Sequence, residues 1–269
     1  MDTPEVQAVA FDVNETMFSL DSLRGAFTDA GLDPGLAPLW FARLLRDTFA
    51  LTVLGGYRPL AEIAAETMRG LDVDRIDDPA VQSVLAAMRA LDAHPDVEPA
   101  LRRLSETGVP AITLTNGSVE TTRALLDRAG LTGYLAHVVS VDAVRRFKPA
   151  PEPYRHAADL LGVEAGRLAL VAAHPWDCAG HAGLRTGWVR RGSAPWPEMF
   201  PVPDAAAAEL PAVTHGARRG GSGPARPKRH RVPPGHGAHA QSCSYPNLSC
   251  PAGPPTDCRH ARPSPRRAA

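Results

Sequence analysis

Short apolar runs alternate with amphipathic stretches along most of the chain. The runs "VQAVAFDV" (6–13), "VPAITLTN" (109–116), "HVVSV" (137–141), "RLALVAA" (167–173) and "RTGWVRR" (185–191) are short and valine-rich, as strands buried on both faces are. Stretches such as "VETTRALLDRAG" (119–130) and "PEPYRHAADLLGV" (151–163) repeat their apolar positions at helical spacing. The alternation predicts an α/β fold, a Rossmann-like parallel sheet covered by helices. The carboxyl ends of the strands form the reactive edge of such a sheet. Asp12, Thr115, Asn116 and the segment "AAHPWD" (172–177) all fall there.

The alternation breaks between residues 17 and 94. Four helical patterns, "LDSLRGAFTDAG", "LAPLWFARLLRDTFALTVLG", "PLAEIAAETMRGL" and "PAVQSVLAAMRAL", follow one another there with no convincing strand between them. This predicts a helical cap, residues 17–94, inserted into a core made of residues 5–16 and 95–205. Placed just after the first strand, such a cap lies over the reactive edge, where it excludes water and shapes a pocket.

Composition divides the chain a second time. Residues 1–210 carry 19 Lys+Arg against 28 Asp+Glu, and residues 211–269 carry 10 against one, so the two parts have net charges of −9 and +9 within a total of zero. The basic part is full of Pro, Gly and Arg and nearly free of Leu, Ile, Val and Phe, so residues 211–269 are expected to form a disordered tail. It lacks interleaved aromatics and any recognisable module, and no nucleic-acid partner is expected. Cys243, Cys250 and Cys258 lie in this tail without a CxxC pair, a weak pattern for zinc, and Cys178 alone in the body gives no disulfide framework. No apolar run reaches the length of a membrane span, and "MDTPEVQAV" lacks the basic and apolar regions of a signal peptide, so the expected location is the cytoplasm.

Asp12 closes the first strand, with Thr16 four residues on, in a loop whose backbone amides can surround an anion. A carboxylate held there can act as a nucleophile and form a covalent intermediate. An aspartate after a strand also serves as a helix cap or turn residue. Three later segments add support in order: "TLTNGS" ends a strand with Thr115 and Asn116, "RFKPAPEPY" places Lys148 before a proline-initiated helix, and "LVAAHPWD" delivers Asp177.

Together with "FDVNET", these segments resemble the haloacid dehalogenase superfamily over roughly residues 5–200. Phosphatases of that superfamily have a second acid where this chain has Asn14, to protonate an alkoxide leaving group, and an amide does not replace it. They also hold magnesium through an acid at the position of Ala173. A halide leaving group needs no proton, and a monoanionic haloacid needs no magnesium to neutralise it. The pattern is therefore similar to the type II 2-haloacid dehalogenases, which displace halide from C2 through an aspartyl ester and give a 2-hydroxy acid. The implied partner is a small 2-haloacid, with no metal and no cofactor, and a homodimer is left open.

The resemblance implies Asp12 as nucleophile, oriented by Thr16 and kept ionised by Lys148, with Asp177 positioning the hydrolytic water. Asn14, Thr115, Asn116, Tyr154, His174 and Trp176 would line the substrate. Thr16 and Thr115 can equally tie loops together, and Tyr154 and Trp176 can equally be packing. Two departures stand out. The family's dehalogenases carry a halide-binding arginine after a Leu-Trp pair, where "PLWFARLLRD" has Phe41, leaving Arg43, Arg46 or Arg58 as substitutes. His174 and Ala172 stand where Asn and Ser are usual, and His174 is either a base or a structural histidine. The alternatives are a superfamily phosphatase with a weakened magnesium site and a catalytically silent member that binds a small carboxylate.

Overall fold

The computed structural model describes residues 5–71, 76–180 and 182–219. Six strands form one wholly parallel sheet: β1 (Ala8–Phe11), β2 (Ala111–Thr115), β3 (Leu135–Ser140), β4 (Leu168–Ala172), β5 (Arg185–Val189) and β6 (Ala205–Ala207). Their order is β3-β2-β1-β4-β5-β6, which puts β1 between β2 and β4. All residues of β1, β2, β4 and β5 are buried, as strands covered on both faces are.

Successive side chains of these strands enter different cores, because a strand alternates faces at every residue. Val9, Phe11, Ala169 and Val171 belong to one cluster, which takes in Leu101 and Leu104 of α5 (Val97–Ser105) and Leu125 of α6 (Val119–Arg128). Ala8, Ala10, Leu168, Leu170 and Ala172 belong to the other, with Tyr154 and Ala157 of α7 (Pro151–Leu161). Local chemistry sets the helix ends. Ser118 accepts the Thr121 N–H at 3.1 Å to cap α6, while α7 opens on Pro151 and closes on Gly162 in the left-handed conformation at φ 64°.

Four helices occupy the segment between β1 and α5: α1 (Leu23–Asp29), α2 (Leu36–Val53), α3 (Leu60–Arg69) and α4 (Asp78–Ala87). Phe27 and Trp40 meet at 5.8 Å between ring centroids, and the Trp40 indole N–H donates to the Ala64 carbonyl at 3.1 Å, which locks α1, α2 and α3 together. No described helix is long and apolar enough to cross a membrane.

The ordered chain extends further than the sequence suggested. Residues expected to start a disordered tail at 211 instead form α9 (Leu210–Arg219), and the core continues past 205 through β6 into that helix. Leu210, Val213, Thr214 and Ala217 supply a buried stripe, which outweighs the weak helix propensity of "LPAVTHGARR". Small residues allow close approach: a Cβ on Gly187 of β5 would stand 3.0 Å from Val213, and one on Gly216 would stand 2.9 Å from Ala205. The remainder of the expected tail, with Cys243, Cys250 and Cys258, lies outside the described residues.

Candidate active site

β1 delivers Asp12 to the carboxyl edge of the sheet, where its N–H donates to the Val171 carbonyl of β4 at 3.0 Å. The chain then curls back. Met17 and Phe18 donate to the Val13 carbonyl, and Glu15 takes a positive φ of 61°, an uncommon conformation for a residue with a Cβ. The curl returns the Thr16 hydroxyl to Asp12 Oδ2 at 2.7 Å, where it also accepts the Ala173 N–H at 2.8 Å. Arg191 fastens the same turn, donating to the Thr16 carbonyl through Nε at 3.2 Å and Nη2 at 2.8 Å while Nη1 pairs with Asp96 at 2.8 Å.

Lys148 is fully buried, and its Nζ bridges Asp12 Oδ1 at 2.8 Å and Asp177 Oδ2 at 2.5 Å. Asn116 holds the Lys148 backbone at both ends: its Oδ1 accepts the Lys148 N–H at 2.9 Å, and its Nδ2 faces the Lys148 carbonyl at 3.5 Å. Tyr154 of α7 donates its hydroxyl to Asp177 Oδ1 at 2.5 Å. Asp177 sits on α8 (Pro175–Gly180), so four elements converge on one buried line from Tyr154 through Asp177 and Lys148 to Asp12.

Burial by itself would raise the Asp12 carboxyl, but the Lys148 charge, helped by His174, holds it well below the usual carboxylate range. Burial would likewise discharge Lys148, and the two carboxylates beside it reverse that and raise its pKa. Asp177 is pushed up by burial and by the charge of Asp12, against the pull of Lys148. Burial, then Asp177, pushes the Tyr154 phenol far up, so it stays a donor. The line therefore holds one cation between two carboxylates, with Asp12 its most firmly ionised acid.

His174 stands on the other side of Asp12. Its Nε2 lies 2.6 Å from Glu15 Oε2, and its Nδ1 lies 3.6 Å from Asp12 Oδ2, buried and without a hydrogen-bond partner. Burial works to lower its pKa, but the nearby Asp12 and Glu15 carboxylates prevail and raise it to about 9. Trp176 packs 5.0 Å from the His174 ring and 5.0 Å from Phe49, and Phe41 lies 6.4 Å from His174, centroid to centroid. These rings make an apolar wall beside the carboxylate.

The structure brings Asp12, Thr16, Lys148, Asp177, Asn116, Tyr154, His174 and Trp176 together. Asn116 clamps the Lys148 backbone, and Asp177 spends both carboxylate oxygens on Lys148 and Tyr154. Thr115 Oγ1 accepts the Gly117 N–H at 2.9 Å and so ties its own loop. Asn14 is half-buried and bridges to Phe18 through its backbone. Arg43 donates to the Gly70 carbonyl, Arg46 pairs with Asp47 and Arg58 with Glu62, all exposed contacts. A helix turns about 100° per residue. Phe41, Phe49 and Thr52, whose hydroxyl accepts the Phe147 N–H at 3.3 Å, thus share the face of α2 toward the site, whereas Arg43 and Arg46 point elsewhere. Sequence reasoning missed Glu15, Phe49 and Arg191. Phe49 alone had a signal, its spacing two helical turns beyond Phe41.

One backbone contact fixes the lysine loop to α8. A Cβ built on Gly180 would stand 2.5 Å from Pro149 Cβ and 2.9 Å from the Pro149 carbonyl oxygen, next to Lys148. Gly180→Ala is therefore expected to destabilise the fold by about 1–3 kcal/mol, the usual cost of overpacking, read as a lower thermal midpoint. An unchanged midpoint would show that the Pro149 loop yields freely.

A family model described as haloacid dehalogenase-like hydrolase matches residues 6–182. Haloacetate dehalogenase H-2 of Moraxella sp. (strain B) is 26% identical over 219 residues, which span 78% of this chain and 97% of that protein. The (S)-2-haloacid dehalogenase of Pseudomonas sp. (strain YL) is 28% identical over 219 residues, or 77% of this chain and 93% of that protein. Among solved structures, the L-2-haloacid dehalogenase from Xanthobacter autotrophicus superposes with a TM-score of 0.70 at 25% identity, covering 77% of this chain and 96% of that chain.

Proposed function

Because the chain belongs to the haloacid dehalogenase-like hydrolases, we propose that it cleaves the carbon–halogen bond of a short (S)-2-haloacid through an Asp12 ester. The observation that carries this reading is the Asp12 carboxylate, held ionised by Lys148 and oriented by the Thr16 hydroxyl at the reactive edge, with Asn14 where a protonated leaving group would call for an acid. A curated relative at 28% identity with an (S)-2-haloacid dehalogenase name points the same way.

Asp12 attacks C2 of the substrate, the carbon–halogen bond breaks, and the halide leaves with its electron pair. No proton moves in this step. Lys148 keeps the nucleophile charged, and its second carboxylate, Asp177, keeps the lysine charged when Asp12 becomes a neutral ester. Asn116 and Tyr154 serve by positioning Lys148 and Asp177. Water then attacks the side-chain carbonyl of the ester, releasing the 2-hydroxy acid and restoring Asp12. The helices between residues 17 and 94 act as a cap, and Phe41, Phe49 and Trp176 present apolar rings beside His174 on the reactive side.

The test is halide release from (S)-2-chloropropionate by purified protein in the presence of EDTA. Release with formation of 2-hydroxypropionate is expected, and a folded protein that releases no halide from chloro or bromo acids would overturn the reading. Phe41 in the place of the family's arginine favours a second reading, a silent member that only binds a small carboxylate. Thermal stabilisation by 2-chloropropionate without turnover would select it.

A further inference from the structure

We propose that His174, aimed by Glu15, is the base that takes the proton from the water hydrolysing the Asp12 ester. This inference rests on the haloacid reading above and assigns the second half of that reaction. Three observations carry it. His174 Nδ1 is buried, lacks a hydrogen-bond partner and stands 3.6 Å from Asp12 Oδ2, close enough for an ion pair but too far for a hydrogen bond. Glu15 holds the opposite nitrogen at 2.6 Å, which fixes the ring plane, and the left-handed backbone of Glu15 turns its carboxylate to that place. Asp177 is fully buried with its oxygens already hydrogen-bonded to Lys148 and Tyr154, whereas His174 Nδ1 has no hydrogen-bond partner.

Geometry also assigns the half-reaction. In a displacement, nucleophile and leaving group stand on opposite sides of the carbon, so a group beside the Asp12 oxygens serves attack on the ester carbonyl and not departure of the halide. The two carboxylates that flank His174 keep it protonated in the resting protein. Ester formation discharges Asp12, one of the two, and the imidazolium gives its proton to solvent past Glu15, whose side chain is 41% exposed. Neutral His174 then accepts a water proton as the oxygen bonds to Cγ of Asp12. The tetrahedral intermediate collapses with cleavage of the bond from Cγ to the substrate oxygen, and that oxygen takes the proton from His174. The regenerated Asp12 acid returns its proton to His174, so the cycle yields halide, hydroxy acid and one proton.

The experiment is rapid-quench mass spectrometry of the protein mixed with saturating (S)-2-chloropropionate, with halide and 2-hydroxypropionate followed in parallel. His174→Ala is expected to release about one equivalent of halide at the parental rate and then turn over about 100-fold more slowly, with the ester accumulating on Asp12. Glu15→Gln, at a half-exposed side chain, is expected to accumulate the same ester with about a 10-fold loss, as a positioning residue should. It carries the test if the histidine variant fails to fold. Imidazole added to His174→Ala should clear the ester. Parental turnover in either variant, or equal slowing of halide and hydroxy acid without ester, would overturn the assignment while leaving the haloacid reading intact. A folded parent that releases no halide would sink both.

Discussion

Asp12→Asn is expected to lower halide release from (S)-2-chloropropionate by about 10⁴-fold or more while leaving the protein folded. The amide keeps the shape of the side chain and removes both its charge and its nucleophilic oxygen. Lys148 remains paired with Asp177 at 2.5 Å, so the substitution does not strand a buried cation. Thermal melting should show a modest shift beside the loss of turnover. A variant that kept a tenth of the parental rate would show that the halide leaves without attack by Asp12.

Lys148→Met should cost both activity and stability. The ammonium is fully buried and bridges two buried carboxylates, and removing one partner of such a cluster typically costs about 3–5 kcal/mol because charge is left uncompensated. The sign of the pH dependence follows. In the parent, Asp12 is depressed below its unfolded value, so its stabilising contribution is complete above the ordinary carboxylate pKa and is lost only as pH falls through the depressed value. In the variant, burial and the Asp12 charge raise Asp177 above its unfolded value with no cation to oppose them, while Asp12 keeps only His174, so protonation of Asp177 favours the folded state. The stability gap between parent and variant should therefore narrow as pH is lowered from neutrality toward the acid range, measured by urea denaturation. A gap independent of pH would mean that Lys148 acts by packing rather than by charge. Halide release by the variant should fall with the ionised fraction of Asp12.

The parts of this molecule legible in the sequence were those with a period or a motif. Five short runs foretold β1 to β5, four of them buried along their whole length and β3 partly exposed, and the residues just past β1 and β2 proved to be Asp12 and Asn116, with Asp177 on the helix after β4. β6 was invisible because three alanines have neither period nor β propensity, and α9 was invisible because its buried stripe is set in a stretch of Gly, Thr and Arg. Residue types gave the charges of the site but not their pairing. Nothing in "TLTNGS" distinguishes an asparagine that binds substrate from one that clamps the Lys148 backbone, since that depends on residues 32 positions apart. Glu15 was hidden for a similar reason: its partner His174 is 159 positions away.

The central place of β1 has a consequence for biosynthesis. Asp12 is the first residue of the site to leave the ribosome, yet β1 gains its neighbours only when residues 111–113 and 168–171 have followed. The Arg191 contact that fastens the Thr16 turn comes later still. Both edges of that apolar strand therefore stay open until residues 111–113 emerge, and one stays open until residues 168–171 follow, a state prone to pairing with other nascent chains. The nucleophile is made early and becomes competent late, so the reactive edge stays inert until nearly all of the sheet exists.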